Sequence, residues 1–158
     1  MRISVGLLTI SGVRDDETDE VVTNAALRAL DQAGYDSVTT QTVSLKPEVV
    51  EQAILELSES CDIVLVSGGT GFGPHDVVPE ITKSIVEREA PGLTEHIRSE
   101  LGKHSETAYL YRGVAGIKGR TVIINLPTSA EHVKTSIETV SLLIRPMMVD
   151  VRDVSPVG

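Results

Sequence analysis

The sequence predicts an α/β fold: a three-layer sandwich with a mostly parallel central sheet between helices and a small hairpin at one side. Three observations predict it. Short apolar, β-rich runs alternate with segments whose apolar residues recur at helical spacing. This β-α-β-α-β order favours right-handed crossovers and a parallel sheet. The run Ile63 to Val66 is apolar at every position, as a strand buried on both faces requires, and it stops at Ser67 in a glycine-rich turn. With 158 residues, 41% hydrophobic and 23% charged, the chain can bury one full core. A single domain over 1–146 and a C-terminal tail over 147–158 are expected.

Ile3 to Ile10 reads as the first buried strand. The polar stretch Ser11 to Glu20 carries Asp15, Asp16, Glu17, Asp19 and Glu20, a loop and acidic helix start whose charges meet the helix dipole favourably. From Val21 to Ala33 apolar residues recur at helical spacing, and Gly34 supplies a stop. Tyr35 to Val43 is rich in Val and Thr and reads as a strand. Pro47 opens a second helix with Val49, Val50, Ala53, Ile54 and Leu57 along one side. Beyond the glycine turn, Val77 to Glu89 reads as a helix, broken at Pro91-Gly92 and followed by a short helix over Leu93 to Leu101, with Glu95 and Arg98 as a surface pair. Tyr109 to Ile117 and Arg120 to Leu126 are β-like runs around Lys118-Gly119, a hairpin. The spacing of Val133, Ile137, Val140 and Ile144 gives a last helix from Ala130 to Ile144.

The stretch from Ser67 to Glu80 carries the chemistry. Gly68, Gly69, Gly71 and Gly73 form a turn whose backbone a ligand can approach closely, with amide N–H groups available to an anion. His75 and Asp76 follow, and Pro79 and Glu80 suit the first turn of a helix. No Gly-Lys-Ser/Thr follows and the G-x-G-x-x-G spacing is absent, so neither a Walker A loop nor a dinucleotide fingerprint is present. Ligands of open α/β sheets bind beyond the carboxyl ends of the strands. Those ends bring together Thr9 to Ser11, Ser67 to Asp76, and Asn125 to Ser129. Thr128 and Ser129, taken alone, are a helix cap. Arg112 carries a guanidinium suited to bidentate phosphate recognition.

A net charge of −9 argues against a nucleic-acid partner, and 3% aromatic residues leave no base-stacking platform for single strands. An acidic protein that binds phosphorylated ligands must use backbone amides, a few arginines and a divalent cation. Cys61 is the only cysteine and reads as a core residue, which excludes disulfides and cysteine zinc sites. His75, His96, His104 and His132 lack paired metal-ligand spacing. No apolar run reaches membrane-spanning length, and no signal segment precedes the first strand, so a cytoplasmic protein without a membrane partner is expected.

The string S-G-G-T-G, Asp76, Pro79-Glu80 resembles the GGTG…D…PE signature of the MoaB/Mog family of molybdopterin-binding and molybdopterin adenylyltransferase domains. Glu89-x-Pro91-Gly92-x-x-Glu95-x-x-Arg98 and RGVAGIKGRTVIINLP (Arg112 to Pro127) resemble the family as well. The resemblance spans nearly the whole chain and implies a molybdopterin-binding-like fold assembled as a homotrimer or a hexamer. It implies transfer of AMP from ATP to the terminal phosphate of molybdopterin with Mg²⁺. Asp76 is then the catalytic and Mg²⁺-associated acid. The substrate-binding residues implied are Thr9, Ser11, Ser67, Gly68, Gly69, Thr70, Gly71, Glu80, Arg112, Pro127, Thr128 and Ser129. The chain departs from the family at Leu45, where a catalytic carboxylate is usual, at Gly12 after Ser11, and at Thr128 where a glycine is usual. Three readings follow: an adenylyltransferase in which another acid, from residues 15 to 20, replaces the lost one, a pterin-binding paralogue or assembly subunit without transfer, and a related domain acting on another nucleotide, since the glycine turn does not identify the base above it.

Overall fold

The computed structural model describes residues 1–12 and 14–153. The strands are β1 (Val5–Ser11), β2 (Val38–Ser44), β3 (Ile63–Ser67), β4 (Arg88–Glu89), β5 (Ala115–Lys118) and β6 (Thr121–Leu126). The helices are α1 (Asp16–Gln32), α2 (Pro47–Ser60), α3 (Val78–Ile85), α4 (Pro91–Gly102) and α5 (Ala130–Val151), with a 3-10 segment at Glu106–Leu110. The sheet order is β2-β1-β3-β6-β5-β4. β1, β2, β3 and β6 run parallel, and β5 turns back antiparallel on β6 with β4 outside it. The chain therefore steps from β1 to one neighbour, β2, and then to the other, β3. That reversal opens the crevice in which α/β sheets bind ligands.

Alternation along each central strand feeds two cores. Val5, Leu7, Ile63, Leu65, Val122 and Ile124 face α1, α4 and α5. Leu8, Ile10, Val64, Val66 and Ile123 face α2 and α3, where Cys61 also packs. Every residue of β3 is buried, which is why the strand is apolar throughout. Each such aliphatic side chain contributes roughly 1.5–3 kcal/mol relative to exposure. The three expected layers are thus present. Asp15 caps α1, its carboxylate accepting the Thr18 N–H at 2.8 Å, and that hydrogen bond holds its pKa below the usual range.

Several boundaries differ from the sequence expectation. The helix expected to reach Glu89 ends at Ile85, and Arg88–Glu89 becomes an edge strand pairing with Gly116 and Ile117. Tyr109 to Val114 is not a strand: the chain makes the 3-10 turn and then runs without regular structure to Ala115. Arg98 is no surface partner of Glu95; it donates to the carbonyls of Tyr111 (2.9 Å) and Gly113 (3.0 Å) and stands 5.2 Å from the Tyr111 ring centroid. Helix α5 continues through Pro146 to Val151, into the expected tail, whose residues 154–158 lie outside the described residues. Among the described residues, no helix is long and apolar enough to cross a membrane.

At the opposite end of the sheet, Asp62 ties three segments together. Its Oδ2 accepts from Ser4 N (2.9 Å) and Ser4 Oγ (3.0 Å) and pairs with Arg152 Nη2 (2.9 Å). Burial pushes this carboxyl up, but the Ser4 and Arg152 contacts together outweigh it and the pKa is lowered. A depressed carboxylate pKa contributes stability that is complete above the unfolded value and is lost as pH falls through the folded one. Asp62→Asn is therefore expected to destabilise by about 1–2 kcal/mol near neutrality. In urea titrations at several pH values, the gap from wild type should close on acidification from about pH 4 downward.

Candidate active site

The carboxyl ends of β1, β3 and β6 meet the start of α3 at the glycine turn. Gly68 and Gly69 adopt φ of 108° and 70°, a region that L side chains rarely enter. A Cβ on Gly69 would lie 2.6 Å from Val78 Cγ2, so the turn lies close against the start of α3. Its carbonyls point back into the protein. Gly69 O accepts from Val78 N (3.2 Å), Thr70 O from Arg112 N (2.9 Å), and Gly71 O from Arg112 Nε (2.8 Å). The Thr70 hydroxyl donates to Leu126 O at 3.0 Å, stitching the turn to the end of β6. Among the described residues, the amides of Gly69, Thr70 and Gly71 donate to no protein acceptor. Carbonyls tied down and amides left over are the donor pattern that an anion requires.

Asp76 closes the loop. Its Oδ2 accepts the Gly73 N–H at 2.8 Å, and no hydrogen bond to Oδ1 is found among the described residues. Arg112 clasps the turn from outside: besides Gly71 O it donates through Nη2 to Asp76 O, and through Nη1 and Nη2 to Glu80 at 3.0 and 3.1 Å. The hydrogen bond from Arg112 lowers the Glu80 pKa, and the same contact raises that of Arg112. Glu80 is exposed, so this pair contributes little to stability by itself. Its effect is to hold the guanidinium over two loop carbonyls.

The other expected residues lie around this centre with different partners. Ser67 is buried at the end of β3, where its Oγ accepts from Arg14 Nη2 at 3.4 Å. Thr9 is buried and shares a hydrogen bond with Thr23 Oγ1 (2.8 Å), while Ser11 Oγ donates to Val43 O (3.2 Å). Pro127 is buried, Thr128 half-buried, and Ser129 caps α5 by accepting from His132 N at 3.3 Å. Leu45 packs at the turn, its Cδ1 3.5 Å from the position a Gly69 Cβ would take. Where the family resemblance implies a carboxylate, this chain has an apolar contact.

Sequence reasoning missed a buried ion pair beside the turn. Arg14 Nε lies 2.7 Å from Asp19 Oδ1, with the side chains 7% and 9% exposed. Burial pulls the Arg14 pKa below its ordinary value and the field of Asp19 opposes it. The available signal was that Arg14 is the only basic residue between Arg2 and Arg28, among acids. Arg14→Met leaves the Asp19 carboxylate buried without this cation, and a loss of about 3–5 kcal/mol in chemical denaturation is expected. Asp19→Leu in the same chain should restore most of it. Asn125 was also missed as a structural residue: in β6 its Oδ1 accepts from Val114 N (3.0 Å) and its Nδ2 donates to Thr82 Oγ1 (2.8 Å). The Tyr111 hydroxyl donates to Asn125 O, and burial raises its pKa. A lone Asn in an apolar strand was the visible signal.

Fold and site define an open α/β protein with unpaired main-chain amides at the reversal point of its sheet and a carboxylate beside them. The chain belongs to the family described as a probable molybdopterin binding domain, whose model matches residues 3–147. It is 36% identical over 148 residues to the molybdenum cofactor synthesis protein cinnamon of Drosophila melanogaster, a match covering 90% of this chain and 24% of that protein. The chain thus spans about a quarter of that relative. It is 31% identical over 146 residues to the molybdopterin adenylyltransferase of Escherichia coli, covering 87% of this chain and 73% of that one. Among solved structures, the molybdopterin biosynthesis enzyme MoaB of Thermus thermophilus superposes with a TM-score of 0.83 at 32% identity, covering 94% of this chain and 96% of that chain.

Proposed function

We propose that the protein is a molybdopterin adenylyltransferase of molybdenum cofactor biosynthesis. The observation that carries this reading is the set of amides at Gly69, Thr70 and Gly71, turned out of the protein's own hydrogen bonding beside Asp76. In this reading the amides hold a phosphate of the pterin, and a terminal phosphate oxygen attacks the α-phosphorus of ATP. The bond from that phosphorus to the β-bridging oxygen breaks, and pyrophosphate leaves. The protein's part is positioning and charge neutralisation. Among the described residues, no group of three His, Cys, Asp or Glu side chains could hold a metal ion alone. Asp76 is the residue that would hold a Mg²⁺ ion at this turn, with substrate supplying the further oxygen ligands that this ion prefers. Bound there, it would neutralise charge developing on the phosphates.

A homotrimer or a pair of trimers, acting in the cytoplasm, belongs to the same proposal. The association is supported by exposed apolar side chains on α5, where Leu142 is 82% and Val149 57% exposed.

One observation favours a second reading, a pterin-binding subunit without transfer. Leu45 occupies the place of a family carboxylate, and two acids of the first helix start have structural work, Asp15 as a cap and Asp19 with Arg14. Pyrophosphate release from ATP, Mg²⁺ and molybdopterin separates the two. Turnover by wild type that disappears in Asp76→Ala supports the transferase. Equal inertness of both proteins, with pterin still bound, selects the binding subunit.

A further inference from the structure

Phe72 is the only phenylalanine in the chain, and it is 71% exposed. The loop that carries it is held on both sides. Gly71 O is fixed by Arg112 Nε and Gly73 N by Asp76 Oδ2, each at 2.8 Å. A Cβ on Gly71 or Gly73 would fall 3.0 or 2.8 Å from that same carboxylate oxygen, so residues 71–73 wrap closely around Asp76. The ring is thus exposed on a backbone fixed on both sides, one residue from the Gly71 amide and one residue from the amide that Asp76 holds. No tyrosine stands on this turn: Tyr35 and Tyr111 are buried, Tyr109 is exposed but lies beside Gly102 at the end of α4, and the chain has no tryptophan.

We propose that Phe72 is a specificity-determining residue that stacks on the fused heteroaromatic ring of the phosphorylated ligand whose phosphate the turn holds. This rests on the transferase reading for the presence of such a ligand at the turn. Phosphate alone is bound by amides without regard to what it is attached to. A ring partner beside the cradle discriminates phosphates that carry a flat, aromatic body from those that do not, and offset stacking supplies the attraction. Adenine of the nucleotide and the pterin of the co-substrate share this chemistry.

The test compares wild type, Phe72→Ala, Phe72→Leu and Phe72→Trp by titration with AMP, with a phosphorylated pterin, and with inorganic pyrophosphate as the ringless control. Phe72→Ala should weaken one ring-bearing ligand about tenfold or more and leave pyrophosphate within about twofold of wild type. The ligand that loses affinity identifies the ring. Phe72→Leu, which keeps apolar bulk and loses the π face, should recover only part, and it serves as the folded comparison if alanine perturbs the loop. Phe72→Trp introduces the chain's single tryptophan, whose emission should respond to that ligand and not to pyrophosphate. Equal affinity of wild type, Ala and Leu variants for every ligand overturns the stacking role and leaves the transferase reading standing. Failure of wild type to bind any of the three overturns both.

Discussion

Asp76→Asn is expected to reduce the rate of pyrophosphate release by at least about 100-fold while leaving the thermal midpoint within a few degrees of wild type. Asparagine keeps an oxygen able to accept the Gly73 N–H, so the wrapped loop of residues 71–73 survives. What it removes is the negative charge, and with it the attachment point for a cation shared with the reacting phosphates. Asp76→Ala removes charge and acceptor together and should add a loss of stability of about 1.5–3 kcal/mol. The pair of variants separates the two roles of one side chain. A turnover of Asp76→Asn near that of wild type would mean that the carboxylate only closes the loop, and the transferase mechanism would have no acid at its centre.

Gly69→Ala is expected to act on the fold and on the turn at once. The backbone there has φ of 70°, which costs an L residue about 1–2 kcal/mol. The new methyl would also meet Val78 Cγ2 at 2.6 Å, an overlap that must be relieved by moving the start of α3 or the turn itself. Together these should lower stability by about 3 kcal/mol or more in urea unfolding, and the displaced amides should lose their ligand. Val78→Ala in the same chain removes the overlap and leaves the backbone strain. The double variant should therefore regain only the part beyond about 1–2 kcal/mol. A single-variant loss below about 1 kcal/mol would show that the turn is not held by α3 as its geometry indicates.

The parts legible in the sequence were those set by local pattern. The apolar run of β3, the Pro47 start of α2, the helical spacing of α1 and α5 and the glycine turn with Asp76 each announce themselves within about a dozen residues. The parts that were not legible are set by distant partners. Arg88–Glu89 is a strand only because Glu87 N reaches Ile117 O (2.9 Å) and Ala90 N reaches Ala115 O (2.8 Å). Nothing within Val86 to Glu89 encodes that. Tyr109 to Val114 has the aromatic and β-branched composition of a strand, but Tyr111 turns inward to Asn125 and leaves Tyr109 exposed. The last helix was expected to end at Ile144, yet α5 continues through Pro146, which deprives only the carbonyl of Leu142, on an exposed face where water can replace the lost bond. Arg112 shows the same limit at the site: its suitability for phosphate was readable, but its engagement with Gly71, Asp76 and Glu80 was not.

The three carbonyls of the turn are anchored from two separate stretches of chain: the opening of α3, and Arg112 through both its backbone and its side chain. A receptor fixed in this way has already lost the freedom that a looser loop would surrender when its guest arrives. Capture should then be governed by encounter and desolvation, with no slow rearrangement following, and the empty and loaded forms should share one shape.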